Sequence, residues 1–444
     1  MKMSIKTISM LMIATAIAAT SCKKDDPDPT PAPSVNVIQG ELTGVTNLEA
    51  GKKYMLRGKV YVTDGAEINI PAGTIIVGEK TTDGTLIINR GGKINAIGTP
   101  DNPIIFTSEA PKGFRNRGDW GGVVICGRST TNGNPNSTIE GITGQAGSEN
   151  GLYGPGSGAP QVGESSGTMK FCRIEFAGID LSQDNELNSL TMGSVGSGTV
   201  IENIVVSYAN DDAYEWFGGT NNHKYLIAYS TLDDDFDSDR GYSGLVQYGL
   251  IIREKAQADI STSRAFEASS NNNATVSPHS SAKFANVTVM GPRLYGTIST
   301  LYGACVEINS NSNIEVHNSI LTGFPTGVRF NTSGPDAKVV NCVFAENGTL
   351  SAVSGGSTLP ADFETVNIIN ATKDQIWGAG VLFDDYPVTP LLPAASSPYN
   401  TGAPNLSAAG FETQPFYGAF TNTPHAGWHW GAKWINFDPI NADY

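Results

Sequence analysis

The sequence predicts an all-β fold, a right-handed parallel β-helix: a single-stranded solenoid with an aromatic-rich C-terminal cap. Three observations predict it. Residues 201–250 repeat on themselves after 22 positions, so that Asp211-Asp212 falls on Asp233-Asp234, Tyr214 on Phe236, Glu215 on Asp237 and Gly219 on Gly241. A period of that length, with β-branched runs between Gly, Asn and Asp turns, is one coil of a β-solenoid. Glycine supplies 51 of 444 residues and charged residues only 16%, a composition that disfavours long helices and suits strands closed by tight turns. No 3.6-residue apolar pattern survives these turn residues for more than a few positions. Each coil of a solenoid buries surface against its neighbours, so one elongated domain can hold nearly the whole chain.

The chain opens on a secretory signal over residues 1–21, with Lys2 and Lys6 ahead of an apolar run from Ile8 to Ala19. That run is too short for a retained membrane span. Ala19-Thr20-Ser21-Cys22 resembles a bacterial lipobox, which implies acylation of Cys22 and an outer-membrane anchor; an ordinary signal with a chance cysteine is the alternative. Lys23-Lys24-Asp25-Asp26 resembles the tag that sends lipoproteins of the Bacteroidetes group to the outer face of the outer membrane. Pro27, Pro29, Pro31 and Pro33 make residues 22–37 a stiff, solvated spacer.

Coils are expected over residues 38–358. Short strands separated by Gly-Thr and Pro-led turns begin at Gly51, and the text around Gly98-Thr99-Pro100 and Pro103 to Ser108 resembles the first coils of secreted right-handed β-helix proteins. Residues 129–166, rich in Gly, Asn and Ser, read as a long excursion from one coil, of the kind that is often functional. A second interruption falls around residues 179–188. Later rungs show at Phe284 to Val289, Ile314 to Leu321 and Lys338 to Phe344. Asparagines ahead of these apolar runs are read as turn formers. From residue 359 the repeat fades into Pro and aromatic residues. An open solenoid end exposes core and unpaired backbone, and Phe416, Tyr417, Phe420, Trp428, Trp430 and Trp434 can cover it.

Stacked coils place acidic turns about 4.8 Å apart, where like charges repel by roughly 1 kcal/mol in bulk water and several-fold more near a protein surface. A hard cation with oxygen ligands, or neighbouring Arg and Lys, must offset this. Asp233, Asp235, Asp237 and Asp239 alternate, so in an extended segment they share a face. With Asp211, Asp212 and Glu215 they form the expected metal set, with Ca²⁺ as the expected cofactor. The run is not an EF-hand, because Gly241 comes one place late and no closing acid follows. Arg240, Arg253 and Lys255 are the competing neutralisers. Trp216 and Tyr242, beside the acids, are the candidate ligand-stacking residues; core filling is the alternative. A calcium-assisted lyase would also need a base, for which Arg253, Lys255, Arg264 and Arg293 are the candidates. Two of the acids could instead serve a glycoside hydrolase. The five histidines fit no catalytic spacing, and Cys126, Cys172, Cys305 and Cys342 match no zinc motif. A formal charge of −15 argues against nucleic acid as a partner.

Asp119-Trp120-Gly121-Gly122, Asp211 to Thr220 with its Glu-Trp-Phe-Gly-Gly-Thr core, Asp233 to Asp237 and Gly241-Tyr242-Ser243-Gly244 together resemble a family of bacterial exported β-helix lipoproteins. The resemblance implies a fold and a cell-surface address, and no catalytic residues. The expected function is therefore a surface-exposed lipoprotein that binds a glycan, another polymer or an outer-membrane uptake transporter. A calcium-dependent polysaccharide lyase or glycoside hydrolase, and an adhesin or spacer, are the alternatives.

Overall fold

The computed structural model describes residues 35–142, 148–182, 185–383, 391–423, 428 and 431–444. The expected signal, Cys22, most of the spacer, Trp430, His425 and His429 lie outside them. Three parallel ladders run through the chain from 36 onward. One joins Val200–Ser207, His223–Tyr229, Leu245–Ile252 and Lys283–Met290 through their C-terminal halves, Val205 pairing with Ile227 and Ile227 with Leu250. Another stacks Leu190–Val195, Tyr214–Gly219, Phe236–Asp239, Phe266–Ala268 and Ala304–Ile308. A third uses the N-terminal halves of the first set and ends at Glu315–His317 and Lys338–Val340. This is a parallel β-helix.

The corner between the third and first ladders explains the asparagines. Phe171, Asn203, Tyr225, Tyr248, Asn286, Asn318 and Asn341 all take a positive φ there, bending each strand by one residue. Asparagine tolerates that conformation better than most residues, which is why it recurs. Inside the coils, apolar side chains stack from rung to rung. Phe236 lies on Phe284 at 5.7 Å, and Trp216 on Tyr242 at 5.2 Å, both nearly parallel. All four described cysteines are buried, unpaired thiols; burial pushes Cys126 up to about 12.

The C-terminal region divides its covering between two places. Phe363 closes the last coil against Phe330 and Phe344. Beyond residue 391 the chain returns along the flank of the solenoid. There Phe416, Phe420, Trp428 and Trp434 bury Val205, Ile227, Tyr229, Leu250 and Ile252. The return is pinned along its length. Asn318 donates to Pro404 O at 2.8 Å, Asn286 to Phe416 O at 3.0 Å, Arg173 to Trp434 O at 2.8 Å and Lys53 to Tyr444 O at 3.0 Å. Among the described residues, no helix is long and apolar enough to cross a membrane.

Candidate functional site

The acidic turns stack as the period predicts. Glu215 pairs in register with Asp237, and Asp237 with Glu267, which in turn pairs with Glu307. A column of four carboxylates therefore rises along the outer face of one ladder, and Arg329 follows it on the next strand. Beside the column, the turns before each strand bring Asp211, Asp212, Asp233 and Asp234 together. Asp212 Oδ1 accepts the backbone N–H of Asp234 at 2.8 Å, one coil on.

The column is neutralised at one end only. Arg264 donates to Glu307 at 3.0 Å and to Glu267 at 3.1 Å, and lies 3.5 Å from Asp234. Burial works against its charge, yet these three acids outweigh it and raise its pKa. Arg329 adds a second bond to Glu307. At the other end, no Lys or Arg among the described residues is ion-paired with Asp211, Asp212, Glu215, Asp233 or Asp237. Asp212 and Glu215 are each only 8% exposed. Burial first, then the neighbouring acids, hold Asp211, Asp212, Glu215 and Asp237 well above the usual carboxylate range. Asp233 is pushed up to about 6 for the same first reason. Two buried oxygens of these five acids, Asp233 Oδ1 and Asp237 Oδ1, have no hydrogen-bond partner among the described residues. A buried carboxylate oxygen left unpaired is costly, and a cation would satisfy it.

Oxygens of Asp211, Asp212 and Asp233 lie within 4.8 Å of one another, as do those of Asp212, Glu215 and Asp237. Two ligands on opposite sides of a calcium ion, at about 2.4 Å each, stand about that far apart. The donor set is all oxygen, which suits a hard cation.

Two members of the expected metal set are elsewhere. Strict alternation needs an extended chain, but only Phe236–Asp239 is a strand here, and Asp233 to Asp235 form the turn before it. Asp235 consequently turns inward to Arg253, 3.1 Å away, with both side chains fully buried. Asp239 does lie on the outer face but pairs with Arg240 at 3.3 Å. Trp216 and Tyr242, expected to stack on a ligand, are fully buried in the core. Trp216 Nε1 donates to His223 Nε2 at 2.9 Å, and Tyr242 OH donates to Asn221 O at 2.9 Å. Because Glu215 faces outward, its neighbour Trp216 must face in, and it is Phe217 that lies outside, stacked on Tyr153.

The excursion from residue 129 folds onto this face. Ile139, Ile142 and Tyr153 pack against Val124, Cys126, Leu187 and Phe217. It accounts for the first of the paired glycines of the motif, since a Cβ at Gly218, where φ is +74°, would come within 2.5 Å of Thr130 O; the second is set by the preceding coil, a Cβ at Gly219 coming within 2.6 Å of Val195 O. Asn188, from the second interruption, donates an amide bond to Glu215.

Three of the four proposed bases are committed otherwise. Arg253 is buried on Asp235, Arg264 is held by three acids, and Arg293 donates to Glu346 O at 3.1 Å. A cavity of about 500 Å³ opens on the last coils, lined by Phe330, Lys338, Val339 and Phe363, and does not touch the acids.

No curated protein and no solved structure matches the chain. The family model of the pectate-lyase-like β-helix domain matches residues 40–383, which takes in all but the first few residues of the coils and the whole acidic face. The register of those coils and that match agree, and the chain belongs to the pectate-lyase-like β-helix domain family.

Proposed function

We propose that this protein is a cell-surface binding module, anchored through Cys22 in the outer membrane, whose acidic face binds calcium and engages a glycan or an uptake transporter. One observation carries the cation: Asp211, Asp212, Glu215, Asp233 and Asp237 are gathered without an ion-paired Lys or Arg among the described residues, and two of their buried oxygens lack a partner there. Purely structural acids would be expected to be ion-paired, as Asp235 is with Arg253 and Asp239 with Arg240. Of the four candidate bases, Arg253, Arg264 and Arg293 are engaged elsewhere, which supports the non-catalytic reading, since a base needs a free, deprotonated group within reach of the sugar.

Calorimetric titration of calcium into the purified chain, beside Asp212→Asn, tests this. Heat of binding in the wild type and its loss in the variant are expected. No heat in either would sink the proposal. Glycan binding is then compared with calcium and with chelator. A calcium-dependent lyase is the second reading, favoured by the family match, and release of unsaturated sugar from an acidic polysaccharide would establish it instead.

A further inference from the structure

We propose that the acidic face holds two cations rather than one, an inner and an outer ion bridged by Asp212. The inference rests on the cation-binding reading above and adds to it a stoichiometry and a division of labour. The five carboxylates do not close on one point. They form two triads, Asp211 with Asp212 and Asp233, and Asp212 with Glu215 and Asp237, and Asp212 alone belongs to both. No larger set of these acids gathers within 4.8 Å, about the span across one calcium ion with oxygens at about 2.3–2.6 Å, so an ion centred in one triad does not take in the whole of the other.

Each triad carries its own sign of a missing partner. Asp233 Oδ1 is the unpaired buried oxygen of one, and Asp237 Oδ1 of the other. One ion would leave one of them orphaned. Charge points the same way: fully ionised, as metal ligands are, five carboxylates carry five negative charges, which one divalent ion reduces to three and two ions reduce to one. The bridging residue is held ready for the role. Asp212 Oδ1 takes the N–H of Asp234, whose own carboxylate accepts the N–H of Arg264 at 2.5 Å. Two successive coils thus fix the orientation of Asp212 before any ion arrives.

The two positions differ in access. Asp212 and Glu215 are nearly closed off, with the Asn188 amide bonded to Glu215. Asp211 and Asp233 are half-buried, and Asp233 Oδ2 takes a bond from the exposed Ser261 hydroxyl at 2.5 Å. The inner ion therefore ties coils together, and the outer ion keeps positions open for water or for oxygens of a bound ligand.

Calcium titration of the full chain counts the ions, and anomalous scattering from crystals soaked in a lanthanide places them. Two equivalents in the wild type are expected, with one lost in D211N/D233N and the other in E215Q/D237N, and two adjacent scattering peaks. One equivalent, or one peak, overturns the pair while leaving the cation-binding reading intact. Two equivalents that persist in D211N/D233N also overturn it, because the second ion would lie elsewhere. No binding at all overturns both readings. The wild-type count and the peaks do not depend on the variants folding.

Discussion

Asp235 and Arg253 form the one ion pair whose two side chains are both wholly withdrawn from water among the described residues. Breaking such a pair strands a charge in the core, which typically costs about 3–5 kcal/mol, whereas replacing both partners with apolar residues of similar size is often neutral. Arg253→Met should therefore lower the urea midpoint sharply, and Asp235→Leu with Arg253→Met should recover most of the loss. Equal losses in both would mean that the Arg253 contact with the Tyr302 ring, 5.2 Å away, is what matters. At this scale the sequence was legible in its parity and illegible in its turns. Outward Glu215 and Asp237 imply inward Trp216, an inference available from alternation alone. The inward turn of Asp235 was not available, because it depends on where the strand begins, and a run of three aspartates does not mark that boundary. Glu267 and Glu307 went unnoticed for a related reason: insertions lengthen the later coils, so their stacking on the motif emerges only from the register.

Trp434 anchors the returning C-terminal segment, fully buried, with its ring 6.1 Å from that of Trp428 and its carbonyl held by Arg173. Trp434→Ala removes a large buried side chain, a change that costs about 3–5 kcal/mol in well-packed cores. Chemical denaturation should report that loss while calcium stoichiometry stays at the wild-type value, since the segment lies on another flank from the acids. A variant that also lost its calcium would show that the two flanks are coupled. That residues 359–444 are aromatic and protect the solenoid followed from composition. Their course along the side did not, because the apolar residues that receive them sit in strands already expected to be buried. The excursion after residue 129 could likewise be bounded by composition, but its docking on Phe217 required the fold.

Across the molecule, the clustered acids fix how stability responds to pH. Their folded-state pKa values are raised, so without a cation their contribution is complete below about pH 4, where unfolded carboxylates also hold protons. It is lost as pH rises through the folded values, about 6 for Asp233. Each extra proton held by the folded state gives a slope of about 1.4 kcal/mol per pH unit. His223 acts oppositely: burial depresses it to about 3, so its share is lost as pH falls below the unfolded value towards that figure. Thermal melts in chelator should therefore fall from pH 5 to pH 7, and calcium should abolish the fall; a flat profile in chelator would show that the acids are neutralised internally. The fold as a whole was the most legible feature, because a 22-residue period leaves a parallel stack little alternative. The returning segment alters what such a stack does. In a row of coils that answer only to their neighbours, the ends peel first. Here Tyr444 is fastened to Lys53 near the first coil, while Pro404 is fastened to Asn318 near the last. The row is belted, so amide hydrogens of the first coils should exchange with those of the middle, through one shared opening instead of a peeling edge.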